Sequence, residues 1–240
     1  MNHLIASRTQ QAKKIITVIM DYLDGLQMDA FSCIEVGCGS GEISAYFGDF
    51  VAKMWGIELE FSNFPFAQAS QKKNFAFSQA DGAKLPFSDQ VFDLVLFPQV
   101  YEHTTKQKEV FNEIYRVLKP GGICFFSGPN RFQIIEPHYF LPFLSWLPHK
   151  LSDLYLRLTQ KGDIFDIYPR NYWYIKRLAK SFTRIDYTHK MIANPEKYGL
   201  QTKKLNKIII KIPLELIKCL APFYPNYNWL LIKQNSTRTR

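Results

Sequence analysis

Glu35-Val36-Gly37-Cys38-Gly39-Ser40-Gly41 is the stretch whose reading decides the fold. An apolar run at 31–36 leads into it and a segment of helical character follows, so it reads as a strand, a glycine turn and a helix start. Three alternate glycines let a ligand approach the main chain closely, because no Cβ stands in the way. The helix start offers free N–H groups to polar or anionic ligand atoms.

Outward from this loop the chain alternates. A lead-in helix is expected over 9–26, where Ile15, Ile16, Ile19, Tyr22, Leu23 and Leu26 recur at helical spacing; packing on the domain edge is favoured over a cap above the pocket. After the glycine loop, strands are expected at 51–57, 75–79, 92–97 and 123–127, with a helix over 61–72. Thr104 and Gln107 match a capping box opening a helix through Val110, Phe111, Ile114 and Leu118, and Lys119-Pro120-Gly121-Gly122 stops it. Residues 128–159 combine four prolines with many aromatics, too long for an ordinary connection and too apolar for a disordered one. They read as a partly helical lid. A helix over 172–180, strands at 183–187 and 227–233 and a frayed 235–240 complete the chain.

Strands alternating with helices at this spacing imply right-handed crossovers and a parallel sheet covered on both faces. Ligands of such sheets sit beyond the carboxyl ends of the strands. The glycine loop, Glu58, Asp81 and Glu102-His103 fall after strands one to four, and that convergence is the strongest signal in the sequence.

The composition is compatible with one domain: 240 residues, 47% hydrophobic, with an aromatic share of 15% that cannot all be deeply buried. Cys33, Cys38, Cys124 and Cys219 lack paired or metal-type spacing, so reduced thiols and no metal are expected. Residues 1–14 lack the apolar region of a signal peptide, and no apolar run is long enough to span a bilayer. A cytoplasmic protein, with peripheral contact at the inner membrane face left open, is the expectation. Of the net charge of +9, residues 197–240 carry nine Lys or Arg against the single acid Glu215, beside a nearly neutral body. This tail points to a local anionic partner rather than a general nucleic-acid surface.

Three ligands compete for the loop. A phosphate-binding loop needs a lysine that is missing here. A dinucleotide loop needs a third glycine where Glu42 stands, and a carboxylate at that helix start repels a pyrophosphate. S-adenosylmethionine carries no phosphate and a positive sulfonium, so nearby acids suit it. The loop also resembles the first motif of the class I S-adenosylmethionine-dependent methyltransferases. Gly56-Ile57-Glu58 resembles their second-strand acidic motif, and Gln79-Ala80-Asp81-Gly82 with Leu85-Pro86-Phe87 their adenine-side motif. Phe92-Asp93-Leu94-Val95, Glu102-His103 and the run from Glu113 to Gly122 match the fourth-strand region and the helix before strand five. The resemblance covers about 31–127.

It implies an α/β, Rossmann-like, doubly wound, mostly parallel seven-stranded sheet with an antiparallel last strand and an aromatic lid inserted after strand five. The whole chain is then one domain, with a cofactor-binding core at 27–127, a lid at 128–170 and a substrate-side region with a basic amphipathic helix at 171–240. Glu35, Gly37, Cys38 and Gly39 would face the methionine portion, Glu58 the ribose hydroxyls, Asp81 with Ala80 and Gly82 the adenine, and Gln99 would lie near the methionine end. Cys38 reads as a small loop residue, not a nucleophile.

Methyl transfer from a sulfonium is an in-line displacement that depends on alignment of donor and acceptor. His103 and His138 are the candidate bases, each with a structural role as the competing reading. The turn after strand four, Phe97-Pro98-Gln99-Val100-Tyr101, lacks the motif of amino-methylating nucleic-acid enzymes, so no nucleic acid is expected. Lys204, Lys207, Lys211 and Lys218 alternate with Ile208, Ile212, Leu216 and Leu220; the apolar face either packs on the sheet, the favoured reading, or lies on an anionic membrane. A looser resemblance of the region after strand five to cell-surface glycan-associated methyltransferases, and of the core to ubiquinone and menaquinone methyltransferases, leaves a small-molecule, sugar or lipid-linked acceptor. The rivals are a non-catalytic binding or membrane-adaptor protein and an NAD-dependent oxidoreductase.

Overall fold

The structure, a computed structural model, describes residues 2–60, 73–200 and 214–235. The helix expected over 61–72, most of the basic helix over 204–220 and nearly all of the frayed end lie outside the described residues.

A seven-stranded sheet forms the middle layer, in the order β3-β2-β1-β4-β5-β9-β8. Its strands are β1 (Ser32–Val36), β2 (Lys53–Glu58), β3 (Phe75–Gln79), β4 (Phe92–Pro98), β5 (Leu118–Pro129), β8 (Phe182–Asp186) and β9 (Asn226–Lys233). β1 to β5 pair in parallel, while β9 runs antiparallel to both β5 and β8. Only the last strand is reversed, as expected. The central strands read as continuous apolar runs because both of their faces are covered.

On one face, Ile34, Val36, Phe97, Phe126 and Trp229 pack under α3 (Gln107–Val117) and α5 (Tyr172–Leu178). On the other, Cys33, Met54, Leu96 and Phe125 pack under α1 (Asn2–Leu23) and α2 (Glu42–Phe47). α1 buries Ala12, Ile15, Val18 and Ile19 completely against this second face, so its apolar stripe packs rather than caps; Leu26 stays 61% exposed. Asn171 caps α5 by accepting from Tyr174 N at 2.9 Å.

Several local expectations need correction. β5 starts at Leu118 rather than 123, because Leu118 already pairs with Phe92 and the ladder resumes beyond a bulge at Leu94↔Ile123. Asp93, at the bulge, accepts from Ser32 N at 2.9 Å and from Lys119 Nζ, fixing the β1 start to the β5 start. The capping box does not form. Thr104 Oγ1 accepts from Lys106 N at 3.0 Å, before the helix begins. The Gln107 amide is buried and engaged elsewhere: Nε2 donates to the carbonyls of Tyr101 and Tyr168, and Oε1 accepts from Arg170 Nε. Three partners in a buried site outweigh one reciprocal bond at a solvated helix end. The helix that follows the loop, α2, has six residues, so its dipole adds little there.

The segment after β5 holds a two-stranded hairpin, β6 (Ile135–Glu136) with β7 (Leu141–Pro142), a turn of 3₁₀-helix and α4 (His149–Leu158) around its own small core of Leu141, Leu144, Leu156, Phe165 and Ile167. In the described part of the tail, Leu214–Cys219 is helical. Ile217 is its buried residue, packed with Ala221 and Tyr224, while Leu216 and Leu220, expected on the apolar face, are 54% and 47% exposed.

Candidate active site

A cleft of about 430 Å³ opens beyond the carboxyl ends of β1 to β4. It falls within the usual size of a small-ligand site. Gly37, Gly39, Glu58, Ala80, Asp81, Gly82, Gln99 and His103 line it, so the residues expected after four separate strands are brought together.

The glycine loop forms one wall with bare backbone. Gly37 has φ +72 and a Cβ there would stand 2.6 Å from both Val100 methyl groups; Gly39 has φ +51 with open space beside it. Gly37 N and Cys38 N both donate to Ile57 O, at 2.8 and 2.9 Å, which ties the loop to the end of β2. Glu58 reaches back to the same loop: its Oε2 accepts from Gly39 N at 2.8 Å and its Oε1 from Leu59 N at 2.9 Å. Oε1 also accepts from Glu60 N at 3.3 Å, while Oε2 keeps a further lone pair for a ligand hydroxyl.

Asp81 is less free than the sequence implies. Oδ1 accepts from Ala83 N at 2.9 Å, and Oδ2 pairs with Lys106 Nζ at 2.8 Å across the cleft rim. The hydrogen bond from Lys106 holds the Asp81 carboxyl below its ordinary range. Gln99 takes left-handed backbone at φ +56, uncommon for a non-glycine residue. Its N donates to Ser127 O at 2.7 Å, and its side-chain amide turns to Asn226 on β9.

Glu35 and Cys38 do not line the cleft. Glu35 points under the loop into the core, 1% exposed and hydrogen-bonded by Ser44 Oγ. Burial pushes its carboxyl up to about 8. Cys38 is buried too, and burial raises its thiol well above the ordinary value, so it is no nucleophile at neutral pH. A carboxyl whose folded value is raised is protonated in the folded state while the unfolded chain has lost its proton. Glu35 therefore costs stability as pH rises from about 4.5 to about 8. Glu35→Gln, which still offers Ser44 an acceptor, should melt at a higher temperature than the parent at pH 8 and at the same temperature at pH 4; a parallel loss at both values would contradict a protonated Glu35.

The turn after β4, Tyr101–His103, is held in place by buried contacts. Tyr168 N donates to Glu102 O at 2.7 Å, Gln107 grips the Tyr101 carbonyl, and Tyr101 OH accepts from Arg170 N at 3.1 Å. His103 thus sits at the cleft edge, with its ring 5.2 Å from that of His138 at nearly a right angle. His138 is outside the cleft lining and comes from the hairpin segment. The hydrogen bond to Glu136 raises the His138 imidazole above its ordinary value, and burial lowers that of His103. The sequence reading missed Arg8, which lines the cleft from α1, and Lys106. Neither belongs to a motif; both arrive through packing.

The donor set fits S-adenosylmethionine. Glu58 and Asp81 line the cleft as acceptors, bare glycine backbone forms one wall, and the loop has neither the lysine of a phosphate-binding loop nor a glycine in place of Glu42. Residues 34–126 match the family model described as a methyltransferase domain. A sterol 4-C-methyltransferase of Caenorhabditis elegans is 35% identical over 95 residues, covering 38% of this chain and 28% of that protein. A ubiquinone/menaquinone biosynthesis C-methyltransferase of Desulfotalea psychrophila is 32% identical over 111 residues, covering 43% of this chain and 44% of that one. The chain thus spans less than half the length of these curated relatives. Geranyl diphosphate C-methyltransferase of Streptomyces coelicolor superposes with a TM-score of 0.56 at 15% identity, over 95% of this chain and 77% of the other. Residues 34–126 thus match a methyltransferase domain, and the seven-stranded sheet around them has the Rossmann-like fold of the solved methyltransferases.

Proposed function

We propose that this chain transfers the methyl group of S-adenosylmethionine to an apolar small-molecule or lipid-linked acceptor by in-line displacement. The observation that carries the cofactor half of this reading is the joint lining of one cleft by Gly37, Gly39, Glu58, Asp81 and Gln99. Glu58 would accept from a ribose hydroxyl and Asp81, shared with Lys106, from the adenine amine. Gly37 and Gly39 would pass the methionine chain toward Gln99. Arg8 offers the methionine carboxylate a cation at the rim.

The acceptor would enter on the His103 side. His103 borders that side, with His138 behind it, and the rate would come mainly from alignment of donor and acceptor. The segment that brings His138 also exposes Phe140 at 73%, Phe143 at 49% and Trp146 at 44%. Phe140 and Phe143 both hold left-handed backbone, at φ +55 and +58. Exposed aromatics on such a hairpin favour an apolar acceptor, and the names of the relatives, on a sterol and on a quinone, agree in class. No helix among the described residues is long and apolar enough to cross a membrane. Contact with an anionic membrane, through this hairpin and the basic tail, would be peripheral.

A labelled-methyl assay against fractionated cell extract tests the acceptor class: label should enter the lipid fraction, and label confined to polar small molecules or glycan would overturn it. In vesicle sedimentation, the protein should pellet with anionic more than with neutral vesicles, and the double substitution Phe140→Ser, Phe143→Ser should release it. Equal sedimentation of the variant would place the contact elsewhere.

A further inference from the structure

Two buried carboxylates flank the acceptor side of the cleft, and they are served very differently. Glu136, fully buried, is saturated: Oε2 accepts from His138 N at 2.8 Å and Tyr139 N at 2.7 Å, and Oε1 meets His138 Nδ1 at 2.6 Å. Glu102, also fully buried, has no hydrogen-bond partner on either carboxylate oxygen among the described residues. A buried polar group left unpaired costs about 1–3 kcal/mol, and more when charged. Tyr168 N holds the Glu102 backbone through its carbonyl at 2.7 Å.

What stands in front of Glu102 is two imidazoles. His103 Nε2 lies 4.0 Å from Glu102 Oε1, and one ligand atom each from Glu102, His103 and His138 lie within 4.8 Å of one another. Ligands about 2.1 Å from one tetrahedral ion stand roughly 3.4 Å apart, so the widest pair needs to close by about 1.4 Å. The histidines can supply that movement, since their side chains are 48% and 33% exposed while Glu102 is fixed. We infer that Glu102, His103 and His138 bind one divalent transition-metal ion at the edge of the cofactor cleft. Glu136 is the outer-shell partner. By engaging His138 Nδ1 it leaves Nε2 as the ligating nitrogen, the arrangement that commonly orients metal-bound histidines.

Two imidazoles and one carboxylate select Zn²⁺, Mn²⁺, Fe²⁺ or Co²⁺ over Mg²⁺ or Ca²⁺, which prefer all-oxygen shells. Three protein ligands leave coordination positions open. Of the three, His103 lines the cleft, so an acceptor's oxygen there could occupy one of them. That last point rests on the methyltransferase reading; the ion site itself does not. Spacing in the sequence gives no hint of it, because His138 reaches His103 only through the hairpin after β5.

The test is metal binding without cofactor. The full chain, stripped with chelator, is titrated with Mn²⁺ under electron paramagnetic resonance and with Co²⁺ under visible absorption, with Mg²⁺ as competitor. One ion per chain is expected, tighter than about 100 μM and not displaced by equal Mg²⁺. Glu102→Gln and His138→Ala should each weaken it at least tenfold, and Glu136→Gln by roughly 10–100-fold. Circular dichroism checks that each variant is folded; if Glu102→Gln is not, the partly exposed His138→Ala carries the comparison. No stoichiometric Mn²⁺ or Co²⁺ binding, or binding indifferent to these substitutions, would overturn the site. Titration of S-adenosylhomocysteine in chelator is run separately, so failure of the ion site and failure of the cofactor reading give different results.

Discussion

Gly37→Ala should weaken S-adenosylhomocysteine binding at least about thirtyfold. Two costs combine. Left-handed backbone costs a non-glycine residue roughly 1–2 kcal/mol, and Gly37 stands at φ +72. The new Cβ would also lie 2.6 Å from both methyl groups of Val100, which is held between β4 and the Tyr101 turn. Overpacking of that kind costs about 1–3 kcal/mol. The total of roughly 2–5 kcal/mol is relieved by displacing the loop, and the loop is the cleft wall; about 1.4 kcal/mol of lost binding is tenfold. Gly39→Ala separates the two costs. Its φ is +51 but its Cβ would meet nothing within 4 Å, so only the backbone cost remains and the loss should be nearer tenfold. Gly25→Ala, at φ +91 in open space far from the cleft, should lower the melting temperature slightly and leave affinity alone. Equal losses at Gly37 and Gly39 would show that Val100 does not set the loop position. Calorimetry on the three variants decides it.

The second large effect is expected at Glu58. This carboxylate does two jobs, orienting the loop through Gly39 N and presenting its remaining lone pair to the ligand. Hydrogen bonds to a charged group contribute about 1.5–3 kcal/mol each, so Glu58→Ala should weaken S-adenosylhomocysteine binding roughly 10–150-fold. Glu58→Gln keeps one acceptor oxygen and should fall between. A deoxyribose analogue of the ligand should lose affinity on the parent protein but not on Glu58→Ala. If the analogue is discriminated equally by both, the ribose is held elsewhere.

How much of this was legible in the sequence follows from which interactions are local. The central strands were readable because strands covered on both faces are unbroken apolar runs, and the strand ends located Glu58, Asp81 and His103 without any knowledge of packing; Gln99 came from the family resemblance. Side-chain direction was not readable from the same runs. In a strand buried on both faces, alternation carries no information about which side holds the ligand and could not correct the resemblance, which put Glu35 at the cofactor; it lies instead beneath the loop with Ser44. Thr104 and Gln107 looked like a capping box because that motif is local, but the Gln107 amide is claimed by Tyr101, Tyr168 and Arg170, which meet only in the fold. Asp81 was expected free and is engaged by Lys106 for the same reason. The segment after β5 read as an aromatic lid from its composition. That it carries His138 and Glu136 up to Glu102 and His103 depends on the β6–β7 hairpin, two short strands with no periodicity to announce them.

The central claim is that the cleft beyond β1 to β4 holds S-adenosylmethionine. Isothermal titration of the full chain with S-adenosylhomocysteine and, separately, with NAD tests it most directly. One molecule of S-adenosylhomocysteine bound per chain, lost on Gly37→Ala and with no heat from NAD, is the expected result. Binding of NAD alone, or S-adenosylhomocysteine binding that survives both Gly37→Ala and Glu58→Ala unchanged, would contradict it.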